Sequence, residues 1–233
     1  MSQVVSSIKV NASKIPAKAT IIFIHGLGDS GSGWSWFPQL VKQYNLVHQA
    51  DSINYVFPNA PVAPVSVNFN QPMPSWFDIY EFGNPDARQD EEGFFKSCEV
   101  MNTLVKKEIE KGIPPEKVIL GGFSQGAAVS LATASLLDFK IGGVVALSGF
   151  CPVRDALRKK FNKASPNFNT PIFQGHGTAD PIVNYEFGKL TSEYYKELGF
   201  ENIVFHSYSE VGHSASEEEL VDLMKFINEI VEK

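Results

Sequence analysis

Val118-Ile119-Leu120-Gly121-Gly122-Phe123-Ser124-Gln125-Gly126-Ala127-Ala128-Val129 passes from a short apolar run, through G-x-S-x-G, into a run of small residues. The first part reads as a buried strand, the last as a helix, and the pentapeptide between them as a nucleophile elbow. In such a turn the serine takes a strained backbone conformation, and glycines two positions to either side avoid a collision. The hydroxyl is then presented at the sheet edge above a helix N-terminus. That placement points to acyl transfer through Ser124.

Outward from the elbow, the chain alternates strand and helix signals. Residues 20–24, 54–57, 118–120, 144–147, 172–174 and 203–207 are short apolar or β-branched runs, several of them stopped by Gly or Pro. Helical patterns separate them. Residues 34–44 form one; residues 90–111 form another, with Phe94, Cys98, Met101, Val105 and Ile109 on one face. Ser216-Glu217-Glu218-Glu219 is a capping box that opens a last amphipathic helix carrying Leu220, Leu223, Met224, Ile227 and Val231. This order predicts an α/β fold with a mostly parallel central sheet and helices on both faces. Residues 58–89 exceed ordinary loop length and are therefore a candidate substrate-contacting region; Val65, Val67, Phe69, Met73, Trp76 and Phe77 give them too much apolar surface for a domain linker. One domain is expected over residues 1–233, with residues 1–17 peripheral.

A serine at its ordinary pKa needs a base, and the base needs an acid to fix its tautomer. On sheets with this elbow the partners follow in the order acid, then histidine. His206 lies inside a strand pattern, whereas His213 lies just past that strand in Glu210-Val211-Gly212-His213-Ser214, so His213 is the better base. Asp180 lies in the loop after the strand that precedes it; Asp138 and Asp155 fall near helix ends and read as surface or capping residues. The oxyanion needs two amide donors, one after the nucleophile and one after an early strand. Gln125 and Leu27 supply them, the latter in His25-Gly26-Leu27-Gly28-Asp29. His25 and His176 each precede Gly at a strand end and read as hydrogen-bonded structural histidines. Gly26-x-Gly28-x-x-Gly31 with Asp51 imitates a dinucleotide fingerprint, but Asp51 precedes the second strand instead of ending it.

With 43% hydrophobic residues, the chain is long enough to bury a full core. A net charge of −6 without a Lys/Arg cluster excludes an electrostatic footprint for nucleic acid. Cys98 and Cys151 are too few for a disulfide framework and read as inert core thiols. The first twenty residues lack a secretory signal, and no window approaches the run of about 18 apolar residues needed to span a bilayer. Ser2 rules out N-myristoylation, and the C-terminal residues match no prenylation signal. The expectation is a protein of the cytoplasm, with the nucleus also open to it, needing no metal or cofactor. Membrane contact is expected to be transient at most, and nothing in the sequence sets an oligomeric state.

His25-Gly26-Leu27-Gly28-Asp29, Pro72-Met73-Pro74-Ser75-Trp76-Phe77-Asp78, Gly121-Gly122-Phe123-Ser124-Gln125-Gly126, Asp180-Pro181 and Gly212-His213 together resemble the acyl-protein thioesterase and lysophospholipase family of small serine hydrolases. The resemblance implies the α/β-hydrolase fold, Ser124, Asp180 and His213 as catalytic residues, and Leu27 and Gln125 as oxyanion donors. It also implies S-acylated proteins and lysophospholipids as substrates. A long acyl chain requires an apolar channel, for which Val67, Phe69, Met73, Trp76, Phe150 and Ile182 are candidates. Two features depart from relatives: no N-terminal cysteine is present to be acylated, and Gly149-Phe150-Cys151 stands where others bear tryptophan. A general carboxylesterase for short esters and a binding module without turnover are the rival readings.

Overall fold

The computed structural model describes residues 5–84 and 87–233. Six parallel strands form the body of the sheet: β2 (Ala19–Ile24), β3 (Ile53–Pro58), β6 (Val118–Phe123), β7 (Gly143–Leu147), β8 (Ile172–Gly177) and β9 (Ile203–Tyr208). A seventh, β1 (Ser7–Val10), pairs antiparallel with β3, so the order is β1-β3-β2-β6-β7-β8-β9. The N-terminal stretch expected to be peripheral thus supplies the edge strand.

The two-residue period of the strands sorts their side chains between two cores. Ile22, Ile24, Leu120, Val144 and Ala146 face one side, packed with Phe94, Met101 and Val105 of α2 (Glu91–Glu110), Val129 of α3 (Gln125–Leu136), Leu157 of α4 (Arg154–Lys160) and Tyr195 of α5 (Tyr185–Glu197). Ile21, Phe23, Ile119, Val145 and Phe173 face the other, against Phe37 and Val41 of α1 (Phe37–Tyr44) and Leu223, Met224 and Ile227 of α6 (Glu217–Glu232). Each fully buried Ile, Val or Phe contributes roughly 1.5–3 kcal/mol. Because α3 runs beneath the middle of the sheet, Gln125 to Ser135 are buried all round. Small residues, Ala and Ser above all, let it approach.

Three expectations change. The helix expected over 34–44 begins only at Phe37, after a 3-10 turn at Gly31–Trp34, because Pro38 must sit in a first turn. Residues 58–89 contain a hairpin of β4 (Val62–Val65) and β5 (Gln71–Pro74), turned through Phe69 and Asn70 at positive φ. Its prolines, Pro64, Pro72 and Pro74, hide the strand pattern; a two-stranded ribbon tolerates them because it has free edges. Finally, β8 continues past Gln174 because His176 and Gly177 pair with Ser207 and Tyr208.

Candidate active site

Ser124 lies at the join of β6 and α3 with φ 54° and ψ −116°, a conformation that strains any residue with a side chain. Its own N–H is tied to the Leu147 carbonyl at 2.9 Å. The flanking glycines are sterically obligatory. A Cβ on Gly126 would lie 2.0 Å from the Ile24 oxygen, and one on Gly122 would lie 2.4 Å from the Gly126 carbonyl carbon. At Gly26 a Cβ would be 3.3 Å from Ser124 Cβ, so the loop after β2 lies directly against the serine. Leu27 follows in that loop, and Gln125 is the first residue of α3, where the N–H has no acceptor within the helix. Among the described residues neither amide donates to an oxygen in the turns and loops.

A buried polar network holds this loop in place. The fully buried Gln125 side chain accepts from Trp76 N at 3.1 Å and donates to Phe77 O at 2.8 Å. Trp76 Nε1 donates to His25 O at 2.9 Å. His25 Nε2 accepts from Ala60 N at 3.1 Å, which places the ring proton on Nδ1, donating to Gly26 O at 2.6 Å. Burial pushes the His25 pKa down, so the ring stays neutral.

Asp180 and His213, expected as acid and base, converge from the turns after β8 and β9. Asp180 Oδ2 accepts from His213 Nδ1 at 2.7 Å, while Oδ1 accepts from the amides of Ile182 and Val183, each at 2.9 Å. Burial alone would raise this carboxyl, but hydrogen bonds from His176, His213 and the two amides outweigh it and hold Asp180 well below the usual carboxylate range. An ionised partner at Nδ1 fixes the tautomer of neutral His213 and leaves Nε2 with its lone pair. The ring packs on Phe123, with centroids 4.7 Å apart. His213 and Ser124 line the same cleft.

That cleft, about 280 Å³, is walled largely by apolar side chains, among them Phe77, Phe150, Ile182, Val183, Phe187 and Leu190, with Asp29, Glu81 and Arg154 at its edges. Of the six residues expected to form a channel, Phe150 and Ile182 line it. The other four do not. Phe69 is 88% exposed at the hairpin turn, Val67 is half-buried with its N–H on Ile79 O, Met73 lies near Gly28, and Trp76 is buried in the core. Phe77, from the long stretch expected to contact substrate, lines the cleft; sequence reasoning missed the α5 residues Phe187, Leu190 and Thr191, whose three- and four-residue spacing marks a helix face without showing what it borders. Cys151, expected in the core, also borders the cleft, and burial pushes its thiol up to about 12. Among the described residues no group of three or more His, Cys, Asp or Glu side chains could hold a metal ion, and no helix is long and apolar enough to cross a membrane.

The family model for phospholipase/carboxylesterase matches residues 6–231. The chain is 63% identical to acyl-protein thioesterase 1 of Debaryomyces hansenii and 62% identical to that of Candida albicans; the alignments cover 100% of this chain and 100% of the first relative, and 98% and 99% for the second. The crystal structure of acyl-protein thioesterase 2 from Zea mays superposes with a TM-score of 0.82 at 30% identity, over 98% of this chain and 100% of that one. The chain therefore belongs to the phospholipase/carboxylesterase family of α/β-hydrolase-fold enzymes.

Proposed function

We propose that this protein is an acyl-protein thioesterase that releases fatty acyl groups from cysteine side chains of proteins through an acyl-Ser124 intermediate. The observation that carries the reading is a serine at positive φ in the same apolar cleft as a histidine held by a buried, ionised aspartate. In this reading His213 Nε2 takes the Ser124 proton as Oγ attacks the acyl carbonyl. The Leu27 and Gln125 amides stabilise the oxyanion; loss of one such donor typically costs about 100- to 1000-fold. The C–S bond then breaks, and the thiolate leaves with the proton from His213. Water, deprotonated in turn by His213, attacks the acyl-serine and frees the fatty acid, while Asp180 keeps the ring oriented. Oxygen esters of lysophospholipids fit the same chemistry. An apolar cleft supports a lipid acyl group over acetate, since each buried methylene is worth about 0.8 kcal/mol.

The test is Ser124→Ala, assayed on a palmitoylated peptide and on p-nitrophenyl octanoate. Turnover should fall by about 1000-fold or more. A variant as active as the parent refutes the nucleophile, and a parent that prefers acetyl over palmitoyl thioesters refutes the substrate class.

A further inference from the structure

Asp180 carries a second imidazole. His176, in β8, is fully buried, and its Nε2 lies 2.8 Å from Val183 O and 3.4 Å from Asp180 Oδ2, the oxygen that also accepts from His213. Its Nδ1 has no hydrogen-bond partner. A Cβ on Gly188 of α5 would lie 2.4 Å from Nδ1, so the helix backbone closes off that side of the ring. A proton on Nδ1 would be stranded there, so the proton sits on Nε2, where Val183 O at 2.8 Å is its hydrogen-bond acceptor and Asp180 Oδ2 at 3.4 Å a second, longer contact.

This donor has two consequences. Val183 N binds Asp180 Oδ1 while Val183 O binds His176, so one ring fixes both the carboxylate and the backbone turn that cradles it. A carboxylate oxygen that serves two donors also attracts each less strongly than one that serves a single donor. An undivided Asp180 would hold the imidazolium form of His213 more tightly and keep the base protonated to higher pH. The titratable groups facing these rings are few. Among the described residues, His176 meets Asp180 and, from α5, Tyr185, whose hydroxyl is paired with Ser207 Oγ; from β9 it meets the Phe205 ring. His213 meets Asp180, Phe123 and the cleft with Ser124.

We propose that His176 is a positioning residue for the reaction: a neutral buried imidazole that orients Asp180 and tempers its pull on His213, so that the base is free at lower pH. The inference rests on the Ser124–His213–Asp180 reading above.

Two variants test it. His176→Phe keeps a ring among Phe205 and Tyr185 but removes the donor; His176→Gln restores an N–H donor near the Nε2 position. In the Phe variant kcat should fall about ten- to hundredfold with KM little changed, and the acid limb of kcat/KM should move up by about half a pH unit or more. The Gln variant should regain the limb and most of kcat. If the two variants lose kcat alike with the limb unmoved, the ring merely fills space and the proposal fails. Should the Phe variant not fold, ¹⁵N-histidine NMR of the unsubstituted protein decides: His176 must stay protonated at Nε2 alone from pH 5 to 8, and a ring that titrates in that range overturns the proposal. Ser124→Ala, run alongside, separates the two levels, because its retained activity would sink the triad reading whatever His176 does.

Discussion

Glu219 offers the sharpest test of the energetics around the site. It is buried under β8, with Oε1 unpartnered and packed where a Cβ on Gly175 would lie 2.1 Å away, beside the Tyr208 ring. Burial raises its carboxyl from 4.5 to about 8, against a smaller opposing hydrogen bond from the Ser216 backbone. Ionising it in the folded state therefore costs on the order of 5 kcal/mol more than in the unfolded chain, at about 1.4 kcal/mol per pH unit. Below 4.5 both states hold the proton and the contribution to stability is full. Between 4.5 and about 8 the unfolded chain has released a proton that the folded chain keeps, so stability falls with rising pH. Above about 8 the folded chain gives it up too, and the loss is complete. Glu219→Gln carries no such proton. Its amide NH₂ lacks an acceptor, which costs about 1–3 kcal/mol, but that cost does not vary with pH. Urea unfolding of parent and variant at pH 5, 6, 7 and 8 isolates the carboxyl, because every other group cancels in the difference. The variant should gain on the parent by roughly 3 kcal/mol between pH 5 and 7.5. Parallel stability curves would refute the reasoning.

Two further outcomes are expected. Gly126→Ala, whose Cβ would lie 2.0 Å from Ile24 O, should lose about 3 kcal/mol or more of stability together with its activity, and an unchanged melting temperature would contradict the elbow packing. Phe150, on the cleft wall with its ring 6.2 Å from Phe77, should set acyl-length selectivity. In Phe150→Ala the gain in kcat/KM per added methylene, about fourfold for full burial, should shrink across octanoyl, dodecanoyl and palmitoyl thioesters.

The sequence revealed those parts of the molecule in which local chemistry and final environment coincide. β2 and β6 are continuous apolar runs because both faces of a central parallel strand are covered. The elbow announces itself because G-x-S-x-G is a local pattern, although the oxygen that a Cβ on Gly126 would strike belongs to Ile24, distant in the chain. β1 escaped notice because an edge strand of four residues, three half-buried and Lys9 exposed, has no distinctive pattern. Part of the cleft wall escaped for another reason: Phe187 and Leu190 share a helix face, but their spacing does not record that this face borders the cleft once α5 has docked. Glu219 shows the limit most clearly. Its capping box is legible and forms, with Glu219 N donating to Ser216 Oγ at 3.1 Å and the Ser216 backbone donating to the Glu219 carboxyl. What no local motif encodes is that Gly175, distant in the chain, leaves room for the carboxyl to be buried instead of solvated.

His25 and His176 press the same point toward function. Each stands before Gly at the end of a buried strand, and the sequence assigns both the same structural part. The structure gives them different backbone partners. His25 gives its proton to Gly26 O and accepts from Ala60 N, tying down the loop that carries Leu27. His176 gives its proton toward Val183 O and Asp180, fixing the acid. Imidazole suits both places because it is rigid and can stay uncharged when buried, whereas a lysine there would bring a charge and a flexible stem. The loop that carries Leu27 and the Asp180 carboxylate therefore depend on two rings that line no part of the cleft, and substituting either buried ring should alter turnover before it alters substrate affinity.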